Sequence, residues 1–194
     1  MSEAASAGPD QNARQNAWQN GWWAHARQLP SPNFGPRPAG MAGDLGVIHS
    51  INPPPGQYGT GGVQFCNQLD WDAHPYFQQI RGAEVSAHFL IERTGDVWQF
   101  VSCDDRAWHA GKSSFAGREN CNDYSVGIEL EGIEGGLFEE AQYNSLLALL
   151  AALQEAYPIA AVTGHEDIAP GRKADPGAGF DWPRLRRALP LYAL

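Results

Sequence analysis

The chain has 194 residues, 43% of them hydrophobic and 18% charged, with 13 Lys and Arg against 22 Asp and Glu for a formal net charge of −9. That length suits one compact domain with its own core, and the composition is globular rather than fibrous. An acidic chain without clustered Lys and Arg argues against nucleic acid and against an anionic membrane surface as partners.

No stretch approaches the roughly 20 apolar residues that cross a bilayer. The first twenty residues, MSEAASAGPDQNARQNAWQN, lack a basic n-region and an apolar h-region, so a cytoplasmic location is expected. Cys66, Cys103 and Cys121 cannot all pair within one chain and lack C-x-x-C spacing, which makes reduced, buried thiols the expectation. A monomer is expected.

Residues 1–17 are polar and rich in Ala, Asn and Gln, and are expected to form a disordered tail ahead of one domain over 18–194. Trp18, Trp22 and Trp23 supply the first apolar mass, in a short helix expected to end near Gln28; packing is their expected use, ahead of a sugar platform. LPSPNFGPRPAG, with four prolines and two glycines, reads as an irregular arm over the surface. Leu45 to Ile51 reads as a strand, followed by the loop NPPPGQYGTGG, too rich in Pro and Gly for a regular element.

Val85 to Ile91 alternates, with Val85, Ala87, Phe89 and Ile91 on one face and Ser86, His88 and Leu90 on the other. The turn Thr-Gly-Asp at 94–96 then leads into Val97 to Val101 as a hairpin partner. Ser125 to Glu131 alternates again, setting Val126, Ile128 and Leu130 toward the core and Glu129 and Glu131 together on the opposite face. From Glu139 to Tyr157 the apolar spacing becomes helical, with acidic residues at the start and Pro158 as the stop. A last helix begins near Trp182 and Pro183 and should cover Leu185 and Leu189. This order implies an α/β domain: a central mixed β-sheet flanked by helices.

Chemistry concentrates in TGHEDIAPGRKADPG, residues 163–177, a shaped loop holding His165, Lys173 and Asp175. If residues 173–175 are extended, Lys173 and Asp175 face one side, and His165 can reach the same spot. A hydrolytic zinc site wants three His or carboxylate ligands and an open position. His49, at the end of LGVIHS and beside the Gly-rich loop, is the favoured distant ligand. Amide hydrolysis also needs a proton acceptor and a donor to the oxyanion, roles that Glu129 and Lys173 fit, although Glu131 on the same strand face competes for the first.

Taken with VIHSINPPPGQYG, LDWDAHPYF, VSAHFLI, DDRAWHAGKSSFAGRE, CNDYSVGIELEG and FDW, the chain resembles, over residues 20–187, the zinc N-acetylmuramoyl-L-alanine amidases, specifically the AmpD type. The resemblance implies their fold, shared with peptidoglycan recognition proteins and phage amidases, and zinc bound by His49, His165 and Asp175. It implies Glu129 as general base or proton shuttle and Lys173 as the group steadying the oxyanion. The substrate implied is an anhydromuramyl peptide of cell-wall recycling, cut between the lactyl group and L-alanine, with Trp108 and His109 lining the cleft. Two positions depart from the type: Glu84 and Asn120 stand where arginines are expected near the substrate.

Each assignment has a plainer competitor. Asp175 before Pro176 could serve only a turn, Lys173 could be a solvated surface lysine, and His88, His109, His74 and His25 suit structural or surface roles. The competing functions are a non-catalytic muropeptide-binding module, which loss of the ligands would signal, and a lytic amidase acting on intact peptidoglycan.

Overall fold

The protein is described by a computed structural model that covers residues 17–52, 54, 58–59, 62–63, 66–67, 70, 72–79, 81–82 and 84–189. The expected tail, apart from Ala17, lies outside them. Short strands come first: β1 (Trp18–Gln19), β2 (Trp22–Trp23), β3 (Arg27–Gln28) and β4 (Phe34–Pro36). β5 (Leu45–Ile51) and α1 (Pro75–Gln79) lead to β6 (Phe89–Ile91), β7 (Val97–Gln99) and β8 (Asp105–Ala107). Then follow β9 (Ser114–Phe115), β10 (Arg118–Glu119) and β11 (Ser125–Glu131). The chain finishes with α2 (Glu140–Ala156), β12 (Ala161–Gly164), α3 (His165–Ile168) and α4 (Trp182–Ala188).

The central sheet has the order β12-β5-β11-β6-β7-β3 and is mixed, as expected: β12, β5, β11 and β6 run parallel, β7 returns antiparallel, and β3 adds parallel to β7. Period-two alternation sorts β11. Val126, Ile128 and Leu130 enter the main core with Ile48, Phe89, Ile91 and Val162, under Leu146, Leu149, Leu150 and Leu153 of α2 and Leu185 of α4. Each such aliphatic side chain contributes about 1.5–3 kcal/mol by leaving water. The opposite face buries Leu45 and Val47 with Tyr124 and Ile168, and Leu90 with Phe100 and Val101. All three cysteines are free and buried.

Three local expectations fail. Residues 18–28 form no helix: Asn20 and Gly21 take φ of 50° and 76°, the positive values of a two-residue hairpin turn, so β1 folds back on β2. Trp18 then stacks on Trp23 and meets Phe89 and Tyr157 edge-on, so the tryptophans do pack. The arm after Leu29 is partly regular, because β4 pairs antiparallel with β8. Of the strand expected from Val85 to Ile91, only Phe89–Ile91 joins the ladder. Its first half is held piecemeal, Asn33 Nδ2 donating to the Val85 carbonyl and the Ser86 amide to the Trp108 carbonyl, both in loops, before the His88 amide reaches the Gly127 carbonyl of β11.

Candidate metal centre and catalytic pocket

Register places the chemistry. Glu129 of β11 sits opposite His49 of β5, and Gly164, the last residue of β12, sits opposite Ile48. The next residue, His165, therefore emerges at the level of His49. Three parallel strands thus deliver His165, His49 and Glu129 side by side at their C-terminal ends, where open α/β sheets place ligands. Asp175 returns to this spot on the loop after α3, held by a 2.9 Å hydrogen bond from the Glu166 amide to its carbonyl.

His49 Nδ1 lies 2.9 Å from His165 Nδ1 and 3.2 Å from Asp175 Oδ2, and His165 Nδ1 lies 3.1 Å from the same oxygen. All three residues are buried. The other nitrogen of each ring is engaged: His165 Nε2 donates to the Ala110 carbonyl at 3.2 Å, and His49 Nε2 meets His109 Nδ1 at 2.9 Å. An imidazole that gives its proton away at Nε2 offers a lone pair at Nδ1. Two lone pairs and a carboxylate oxygen in one small triangle fit a cation between them, and ligands of this type bonded at roughly 2.0–2.2 Å are those of a divalent metal with an open position. Among the described residues this is the one group of three or more His, Cys, Asp or Glu able to hold a metal ion. Burial pushes the His49 imidazole down to about 4, keeping the ring neutral for ligation. Burial alone would raise the Asp175 carboxyl, but the two imidazoles against it hold it below the usual carboxylate range.

Every site residue expected from the sequence lines one cleft of about 210 Å3, walled further by Ser50, Ile51, Cys66, Val85 and Ser86. Glu129 Oε2 is buried there with no hydrogen-bond partner. Burial and the nearby Asp175 carboxylate push the Glu129 carboxyl well up, against the pull of Lys173. Glu131, the competing base, has both oxygens committed: one accepts from the Gly59 amide and the other from the Arg93 amide at 3.1 Å. Its carboxylate thus ties Gly59 to Arg93. Trp108 is half-buried in the cleft wall, its amide donating to Ser86 Oγ. His109 lines the cleft too, but its second ring nitrogen is taken by Ser125 Oγ at 3.1 Å. Lys173 is exposed at the rim, Glu84 is exposed next to Val85 and Ser86 of the cleft wall, and Asn120 lies on the neighbouring surface with Lys112 and Arg172.

Sequence reading missed the groups that hold this site in place. Asn122 Oδ1 accepts from the amides of both His109 and Ala110, and Arg172 donates to the Ala110 and Lys112 carbonyls, tying the Asp175 loop to residues 110–112. Arg37, inside the arm expected to lie on the surface, reaches the carbonyls of Cys103, Asp123 and Ser125 and contacts His88 Nε2 at 3.2 Å. None carries a spacing signal, since each acts through backbone partners far away in the chain. His88 does have the structural role expected: Nδ1 accepts from the Gly127 amide and Nε2 faces the Asp105 carbonyl.

Residues 40–178 match the N-acetylmuramoyl-L-alanine amidase family. The 1,6-anhydro-N-acetylmuramyl-L-alanine amidase AmpD of Escherichia coli (strain K12) is 48% identical over 172 residues, spanning 87% of this chain and 94% of that protein. A crystal structure of a selenomethionine AmpD derivative superposes with a TM-score of 0.84 at 48% identity, covering 88% of this chain and 97% of the other. The E. coli amidase AmiD, solved with the substrate anhydro-N-acetylmuramic acid-L-Ala-D-gamma-Glu-L-Lys, gives a TM-score of 0.57 at 30% identity over 77% of this chain and 59% of its own. The chain belongs to the N-acetylmuramoyl-L-alanine amidase family.

Proposed function

We propose that the chain hydrolyses the amide between the lactyl group of 1,6-anhydro-N-acetylmuramic acid and L-alanine, with zinc held by His49, His165 and Asp175. The observation that carries this reading is the convergence of three ligand atoms within 3.2 Å beside an unpartnered Glu129 oxygen in a cleft also lined by Lys173. The similarity to AmpD over most of both chains supports the anhydro sugar, and the ligand of AmiD supports a peptide stem. Zinc held by these three residues would supply a Lewis acid for polarising the scissile carbonyl and activating water.

Glu129 takes the proton of that water at Oε2 as oxygen attacks the lactyl carbonyl carbon. Its raised proton affinity lets the carboxyl hold the proton and then pass it to the alanine nitrogen as the C–N bond breaks. The Lys173 ammonium at the rim balances the negative charge that develops on the carbonyl oxygen. Trp108 presents an indole face to the sugar or stem. The amidase domain spans 18–194, and the reaction belongs to cytoplasmic recycling of wall fragments by a monomer; no described helix is long and apolar enough to cross a membrane.

Mass spectrometry of two parallel digests tests the reading. Zinc-loaded protein should release the stem peptide from an anhydromuramyl tripeptide and leave intact sacculi uncut. Cleavage of sacculi alone would point to a lytic enzyme, and tight binding of the tripeptide without cleavage, by protein holding no zinc, would point to a binding module.

A further inference from the structure

The hydrogen bonds behind the metal corner have a direction that can be worked out from their far end. Ser125 Oγ lies 2.6 Å from the Cys121 carbonyl, which can only accept, so the hydroxyl proton is spent there. The hydroxyl therefore accepts from His109 Nε2 at 3.1 Å, which makes Nε2 the protonated nitrogen of His109. His109 Nδ1 then carries a lone pair, and among the described residues the group facing it at 2.9 Å is His49 Nε2, which must bring the proton. His49 is left with its lone pair on Nδ1, aimed at His165 Nδ1 and Asp175 Oδ2.

We infer that His109 and Ser125 are positioning residues of the metal site, a relay from the Cys121 carbonyl that locks His49 in its Nε2–H form and so presents Nδ1 to the ion. The inference rests on the zinc reading above. The surroundings are built for it. His109 lies so close over Gly127 that a Cβ there would come within 2.4 Å of its ring, so only glycine leaves room. The rings of His49 and His109 stand nearly perpendicular, at 85°, with His49 Nε2 and His109 Nδ1 2.9 Å apart. Asn122 Oδ1 holds the amides of His109 and Ala110 together, at 3.1 and 2.8 Å, and the Ala110 carbonyl is the acceptor for His165 Nε2. One dipeptide thus orients both imidazole ligands, through a side chain for His49 and a carbonyl for His165. With both ring nitrogens spent on protein partners, His109 can offer substrate only a ring face.

Partners behind a metal-bound imidazole typically govern metal affinity by about 10–100-fold. Chelator competition on the zinc-loaded protein should therefore show zinc held about 10–100-fold more weakly in His109→Leu and Ser125→Ala. His109→Gln, whose amide oxygen can accept from His49, should recover most of the loss. In the wild-type protein, which needs no variant to fold, long-range 1H–15N spectra of labelled histidines should show His49 protonated at Nε2 and metal-bound at Nδ1. Wild-type zinc affinity matched by both disrupted variants, with only KM for the muropeptide raised, would overturn the relay and leave His109 as cleft wall. A His49 proton at Nδ1 would also overturn it. Failure of the wild-type chain to bind zinc at all would instead bring down the proposed function, and the relay with it.

Discussion

Two histidine clusters lie on the same face of the central sheet and are put together in opposite ways. Around His88 every polar atom meets a fixed protein partner: the Gly127 amide on one nitrogen, the Asp105 carbonyl and Arg37 on the other. At His49, His165 and Asp175 the outward nitrogens are satisfied in the same manner, but the inward atoms are left facing one another. The first cluster is complete as it stands and holds the arm to the sheet. The second leaves three ligand atoms where a cation could sit. Buried polar groups are normally paired, so what distinguishes a site from a support is where the pairing stops.

The largest expected effect tests that boundary directly. Asp175→Ala should abolish zinc retention and turnover together while the fold persists, measured by metal content after desalting; full zinc occupancy in the variant would mean that the triangle is not the metal site. Next come the two carboxylates of β11. Glu129→Gln should keep the metal and lower kcat by about 10^2–10^4-fold. Glu131→Gln should keep most of the turnover and instead lose about 1–3 kcal/mol of stability, by setting a donor against a backbone N–H. Interchanged outcomes would transfer the base role to Glu131.

Lys173→Ala should retain zinc and lose about 2–4 kcal/mol of transition-state stabilisation. Equal zinc loss in Lys173→Ala and Asp175→Ala would contradict the division of roles between them. The last test leaves turnover untouched and concerns the completed cluster. Burial, with Arg37 adding to it, pushes His88 down to about 3, whereas the unfolded imidazole titrates near roughly 6.5. Between those values the unfolded chain binds a proton that the folded chain refuses, so His88 makes stability fall as pH drops from about 6.5 toward 3, by about 1.4 kcal/mol per pH unit. His88→Gln can keep both hydrogen bonds without titrating. Urea melts of the metal-free proteins should show a shallower acid slope in the variant, and identical slopes would remove His88 from the account.

Much of the fold was legible because its long elements repeat a period. Leu45–Ile51 and Ser125–Glu131 match the expected strands to the residue, and α2 lies within one residue of its expected ends. Elements of two or three residues have no period to read. At residues 18–23 the stronger signal was Asn20-Gly21, a turn pair, and the apolar weight of three tryptophans hid it. Val85 and Ser86 alternate like a strand, yet their neighbours are loops, and alternation cannot reveal what a segment pairs with.

The sequence by itself determined the donor inventory: which side chains can bind a metal, and which strand faces they occupy, since residue type and a period of two are local properties. It left Glu129 and Glu131 equivalent, because two residues on one strand share a face. Only the tertiary structure separated them, bringing the amides of Gly59 and Arg93 to Glu131 and none to the Glu129 Oε2 atom. The same holds for His109, whose bond to His49 spans 60 positions of chain. Tautomer, proton direction and ligand convergence are relations between distant segments, and they come into being only when the parallel strands set those segments in register.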